Sequence, residues 1–145
     1  MNAQGAPATI FLPVLAVVVL SLLGFFRLMI LRVRAGKQRQ VKMSYYRAFQ
    51  GTPEPEDVAA AARHYNNLFE APVLFYVGCV VAFQMGAVTP VLLAMAWGYV
   101  AARVGQSVIH LTTNNVRHRA LAFLLGWIFL IALWGRLGAA IVAQA

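Results

Sequence analysis

Charge is scarce in this sequence, and acid is scarcest: 11% of the 145 residues are charged, with 4 Asp and Glu against 12 Lys and Arg. A water-soluble domain carries roughly 25% charged residues, so the chain falls outside that class. Cysteine is nearly absent; Cys79 alone, inside an apolar run, excludes an internal disulfide. There is no Cys/His spacing of a metal site, no Gly-rich phosphate loop and no internal repeat. Apolar surface takes the place of charge, with 61% hydrophobic residues and a mean hydropathy of +0.72. The surplus of base gives a formal net charge of +8 and a pI near 10.6. In a membrane chain such a surplus belongs to cytoplasmic connectors, so the expected partner is a lipid bilayer and not nucleic acid.

The apolar residues fall into four runs, each close to the ~20 residues that a bilayer-spanning helix needs. The expected fold is all-α, an integral membrane four-helix bundle in a single domain over residues 1–145. Its helices are expected at about 9–32, 58–85, 90–111 and 116–143, with a basic connector at 33–57. The first run has no Lys or Arg before it and is too long for a cleaved leader, so it reads as a first span. Gly51-Thr-Pro-Glu-Pro-Glu-Asp57 breaks the connector and supplies acids for the start of the next helix. Pro90 suits the first turn of the third helix, and Thr112-Thr-Asn-Asn115 reads as a turn with an N-cap. Basic residues crowd the first and third connectors, while the second has none. The positive-inside rule then puts both termini outside the cytoplasm.

Polar residues inside these runs carry the functional reading. Arg63, Asn67 and Glu70 recur at i, i+4 and i+7, placing a cation, an amide and a carboxylate on one helical face. Pro72 removes a backbone donor two residues later, so a kink is expected beside Glu70. Arg103, Ser107, His110 and Asn114 form a second stripe on the third helix. Glu70 lies 13 residues past Asp57, and Arg103 lies 12 before Asn115. At 1.5 Å per residue, both sit roughly 18–20 Å along their helices from the basic connectors. Matched depth makes Glu70 and Arg103 an expected intramembrane ion pair with a structural role. Two stripes opening toward the basic side describe a polar cleft entered from the cytoplasm.

Arg63-x-x-x-Asn67-x-x-Glu70 on the second of four short membrane helices resembles the signature of the MAPEG family, membrane-associated proteins in eicosanoid and glutathione metabolism. Arg103-x-x-Gln106-x-x-x-His110, continuing through Asn115-Val-Arg-His-Arg119, is similar to the family's third helix and the Arg that begins its fourth. Asn67-Leu-Phe-Glu-Ala-Pro-Val-Leu-Phe-Tyr76 resembles the bacterial branch, which implies a bacterial inner membrane. The resemblance implies a homotrimer with glutathione as co-substrate, bound between neighbouring subunits, and no metal. It implies glutathione contacts at Arg63, Asn67, Glu70 and His110, and at Arg32 or Arg34 at the end of the first helix. It further implies that Arg119 stabilises the glutathione thiolate. His110 stands where characterised members tend to have Tyr, and Ala120 where some have Ser.

The chemistry is coherent with that reading. A free thiol ionises near ~8.5, so a fixed cation is needed to favour the thiolate at neutral pH. Arg119 near a helix N-terminus adds its permanent charge to the positive end of the helix dipole. The expected function is a membrane-embedded glutathione-dependent transferase or peroxidase, acting on small apolar electrophiles or lipid hydroperoxides drawn from the bilayer. The competing expectation is a non-catalytic membrane protein of the same fold, serving assembly or lipid binding. A bis-His haem on His64 and His110 is a third, weaker reading, because His64 points away from the Arg63/Asn67/Glu70 face.

Overall fold

The computed structural model describes residues 8–42, 44–48, 51, 53–113 and 115–144. Its elements are α1 (Phe11–Lys37), α2 (Tyr45–Ala48), α3 (Glu56–Gln84), α4 (Pro90–Leu111) and α5 (Val116–Gln144). Four of these helices are long and apolar enough to cross a membrane. Even the shortest, α4 with 22 residues, reaches about 33 Å and so covers a ~30 Å hydrocarbon core. Leu23, Ile30, Leu121, Ile128 and Ile131 are each more than 60% exposed. An apolar surface of that extent is suited to lipid rather than to water.

The ends of the helices are closed by local chemistry. Thr89 caps α4, its Oγ1 accepting from Leu92 N at 3.2 Å, with Pro90 in the first turn. Asn115 caps α5, its Oδ1 accepting from Arg117 N (3.0 Å) and His118 N (3.3 Å). After α3, Gly86 takes φ 63° while Ala87 N reaches Ala82 O and Gly86 N reaches Phe83 O. Those paired bonds are a Schellman closure, and glycine supplies the left-handed residue it needs. The same pair of bonds ends α1, with Arg39 at φ 54° in the glycine position. Because nothing before Arg39 breaks the helix, α1 runs to Lys37, five residues beyond the expected end. Helix α2 adds one turn of helix inside the basic connector.

The chain divides into two compact units. Met1–Leu20 and Glu70–Ala145 make the first, which holds parts of all four long helices around Val17, Phe75, Cys79, Tyr99, Leu130 and Leu133. Phe75 of α3 stacks on Tyr99 of α4 with ring centroids 4.5 Å apart. Trp134 Nε1 of α5 donates to Leu74 O of α3 at 3.1 Å. Helices α4 and α5 approach closely because Gly98 makes room for the Phe129 ring; a Cβ there would lie 2.4 Å from it. The second unit, Ser21–Phe69, packs around Leu28, Ala35, Val41, Val58 and Ala61. Helix α3 remains continuous through buried Pro72, and the division between units falls at Phe69/Glu70, two residues before it.

Replacing Gly98 with Ala is expected to destabilise the protein by about 1–3 kcal/mol through overpacking against Phe129. Gly86→Ala should cost about 1 kcal/mol by straining the left-handed turn, and Gly86→Asn less. Thermal unfolding in detergent, ranking the three variants, checks both values.

Candidate functional site

Helix α4 carries the polar stripe in the first unit. Arg103 is 2% exposed, Gln106 5%, Ser107 3% and His110 5%. Spacings of three and four turn all of them to one face, and that face points into the core rather than to the outside. A guanidinium in such a place must be hydrogen-bonded, since desolvating it otherwise costs several kcal/mol. Arg103 Nη1 donates to Gln106 Oε1 at 2.8 Å, and the guanidinium carbon lies 6.0 Å from the centre of the Tyr99 ring. Ser107 Oγ donates back to Arg103 O at 2.8 Å, the usual local bond of a serine inside a helix. Asn114, the last member of the stripe, lies outside the described residues.

Glu70 belongs to the same unit, at the exposed surface of α3, and its carboxylate acts electrostatically on Arg103. The bond from Arg103 to Gln106 joins residues at i and i+3, a spacing that brings them together on one face of the helix. The Tyr99 hydroxyl, at the apolar end of the stripe, meets no hydrogen-bond partner among the described residues.

The second unit holds the rest of the α3 motif. Arg63 is exposed and Asn67 half-buried, so both lie away from the buried residues Ala61, His64 and Leu68 of the same helix. A charged side chain such as that of Arg63, exposed on a helix of bilayer length, is expected to face water, headgroups or protein rather than lipid tails.

Arg32 and Arg34, alternatives in the sequence, are separated by the structure. Arg32 Nε donates to Glu54 Oε1 at 3.1 Å, and its guanidinium carbon lies 5.3 Å from the centre of the Tyr46 ring. The Glu54 side chain is 8% exposed and that of Arg32 32%. Burial and the adjoining Glu54 carboxylate hold the Tyr46 phenol above its ordinary value. Arg34 is exposed and turned outward, as expected for residues two apart on a helix. Glu54 and Tyr46 carry no helical periodicity linking them to Arg32, so sequence gave no sign of this cluster.

At the start of α5, Arg119 is partly exposed, with its backbone N bonded to Asn115 O at 3.0 Å. Arg117 and His118 are exposed beside it. The cap thus fixes the helix origin and places Arg119 within its first turn, where the backbone dipole is positive. Among the described residues, no three His, Cys, Asp or Glu gather as metal ligands.

Arg32→Ala strands a buried carboxylate and should cost about 1–2 kcal/mol, discounted for the partial exposure of the pair. Arg34→Ala should stay within about 0.5 kcal/mol. Gln106→Leu removes the acceptor of a buried cation and should cost about 1.5–3 kcal/mol. Unfolding midpoints of the three variants give the comparison.

Residues 10–139 match the sequence model of the MAPEG family. No match was found among curated proteins or among solved structures. The matched stretch takes in every candidate residue from Arg32 to Arg119. With four apolar helices of spanning length and a family match over nearly the whole chain, this protein belongs to the MAPEG family as a multi-pass integral membrane protein.

Proposed function

We propose that the protein is a glutathione-dependent transferase or peroxidase, with thiol chemistry carried out inside the membrane on apolar electrophiles or lipid hydroperoxides. The observation that carries this reading is the family match across residues 10–139, which includes Arg63, Asn67 and Glu70 on α3 and Arg119 on α5. Glutathione has two carboxylates, an ammonium and a thiol. Exposed Arg63 and Arg34 suit the carboxylates, Glu70 suits the ammonium, and Asn67 suits a peptide group. His110 is assigned a ligand contact from α4. Arg32, bonded to Glu54, is the weaker of the two connector candidates.

Arg119 is assigned to the thiolate. A permanent cation near the sulfur lowers the thiol's ionisation range from its free value near ~8.5. In transfer, the thiolate forms a C–S bond while the electrophile's leaving group departs with its electron pair. In the peroxidase mode, two glutathione thiols become a disulfide as one hydroperoxide becomes an alcohol and water. Exposed apolar side chains beside the polar face of α3, such as Phe69 and Val73, suit substrates that arrive from lipid. The functional unit is a homotrimer in a bacterial inner membrane, with both termini on the non-cytoplasmic side.

Equilibrium binding of glutathione to detergent-purified protein tests the reading. Saturable binding is expected for wild type, with at least about a tenfold loss in Asn67→Ala, the scale of one lost hydrogen bond to a charged or buried group. Arg119→Ala should retain binding while the ultraviolet thiolate absorbance of the complex disappears near neutral pH. The apparent ionisation of the bound thiol then rises toward ~8.5. Absence of binding at millimolar glutathione by an intact assembly would transfer the protein to a non-catalytic, lipid-binding role.

A further inference from the structure

The basic end of α1 carries two cavities that share a rim. One is an open groove of about 530 Å³ along a single face of the helix, floored by Met29, Ile30 and Val33 and edged by Arg34, Lys37 and Gln38. The other is a smaller, mainly polar cavity of about 180 Å³, where Arg34 and Gln38 meet Gln40 and Asp57. Both lie within the Ser21–Phe69 unit. Ile30 is 67% exposed and Val33 57%, so the apolar floor is uncovered in the chain.

The pattern along the groove changes from apolar to cationic within two turns, where α1 passes from its apolar span to its basic last turn. The acyl chains and phosphate of a phospholipid change in the same order at a membrane interface. The smaller cavity adds a feature that a phosphate alone does not require. Arg34 and Asp57 line it together, yet no ion pair between them occurs among the described residues. Asp57 Oδ1 accepts from Val58 N at 2.9 Å, which fixes the carboxylate at the start of α3. An anion fixed at a helix start, a cation and two amides lining one polar cavity complement a zwitterion. The volume is more than tenfold that required by one water, which takes roughly 10–15 Å³ by the same kind of measure.

We infer that this double cavity binds an aminophospholipid. Its acyl chain lies on Met29, Ile30 and Val33, its phosphate is held by Arg34 and Lys37, and its primary ammonium is held by Asp57 with the Gln38 and Gln40 amides. The three N–H donors of a primary ammonium distinguish this headgroup from choline, which has none. The site shares Arg34 with the proposed glutathione contacts, so lipid phosphate and glutathione would compete for that guanidinium, but the lipid reading does not need the thiol chemistry to be correct.

The test reconstitutes the full chain into vesicles with equal parts phosphatidylethanolamine, phosphatidylcholine and phosphatidylglycerol. The protein is then extracted without glutathione, and retained lipids are counted by native mass spectrometry. Wild type should enrich phosphatidylethanolamine over phosphatidylcholine by about two- to fivefold, the range of an exposed ion pair. Asp57→Asn should abolish that preference while leaving total phospholipid retention in place. Lys37→Gln should lower retention of all three lipids by about fivefold, the effect of one interfacial cation. Lys42→Gln removes the same charge outside the groove and should change nothing. Equal retention of the ethanolamine and choline lipids by wild type overturns the proposal, as does an equal effect of Lys37→Gln and Lys42→Gln. Formation of disulfide-linked dimers by Val33→Cys in the membrane would also overturn it, because a second copy would then cover the groove. Loss of glutathione binding with lipid selectivity intact would overturn the transferase reading alone.

Discussion

Housing polar groups in an apolar medium is the constraint on which the rest of this structure depends. Water is absent from the hydrocarbon slab, so backbone and side-chain polar atoms must be satisfied within the protein or by what it binds. Arg103 shows the solution at its most demanding. It is among the largest fully buried side chains, and the helix that carries it also supplies Gln106 as acceptor and Tyr99 as an aromatic neighbour. Glu70 adds an opposite charge without being drawn into the core. Buried ion pairs are weak sources of stability, so a neutral amide beside a buried guanidinium is a useful addition to an opposite charge.

The helix ends obey the same constraint. Thr89 and Asn115 satisfy donors at the starts of α4 and α5, and paired backbone bonds close α1 and α3. The link between α3 and α4 can therefore be short and carry no charge. The longer connector uses different means, a cation between a carboxylate and an aromatic ring, with Val41 and Val58 in a small core beneath. That cluster joins the end of α1 to the approach to α3.

Two arginines two positions apart on α1 illustrate how one helix divides its tasks. Arg32 faces inward to Glu54, whereas Arg34 faces outward onto the two cavities. On α3 the division runs lengthwise. His64 and Leu68 enter the core of one unit, Phe75 and Cys79 that of the other, and Arg63, Asn67 and Glu70 occupy the outer face. A helix with apolar surface on most sides can display such a polar face only where something other than lipid tails meets it.

Sequence by itself determined the elements. Four apolar runs of spanning length, Pro90 and Thr89 at one start, Asn115 at another and Gly86 at one end are local signals, and each acts within a few residues of itself. The same locality made the Arg63/Asn67/Glu70 face and the α4 stripe legible, since both are spacings along one helix. The further reach of α1 is local as well, but Arg39 in a left-handed turn hides it, because that position ordinarily announces itself with glycine. Tertiary structure decided what spacing cannot express. It turned the α4 stripe inward, joined Arg32 to a Glu54 that lies 22 residues away, and left Arg34 facing outward. A helical period fixes which residues share a face, but the direction that face takes depends on the volumes and charges of side chains brought to it by other parts of the chain.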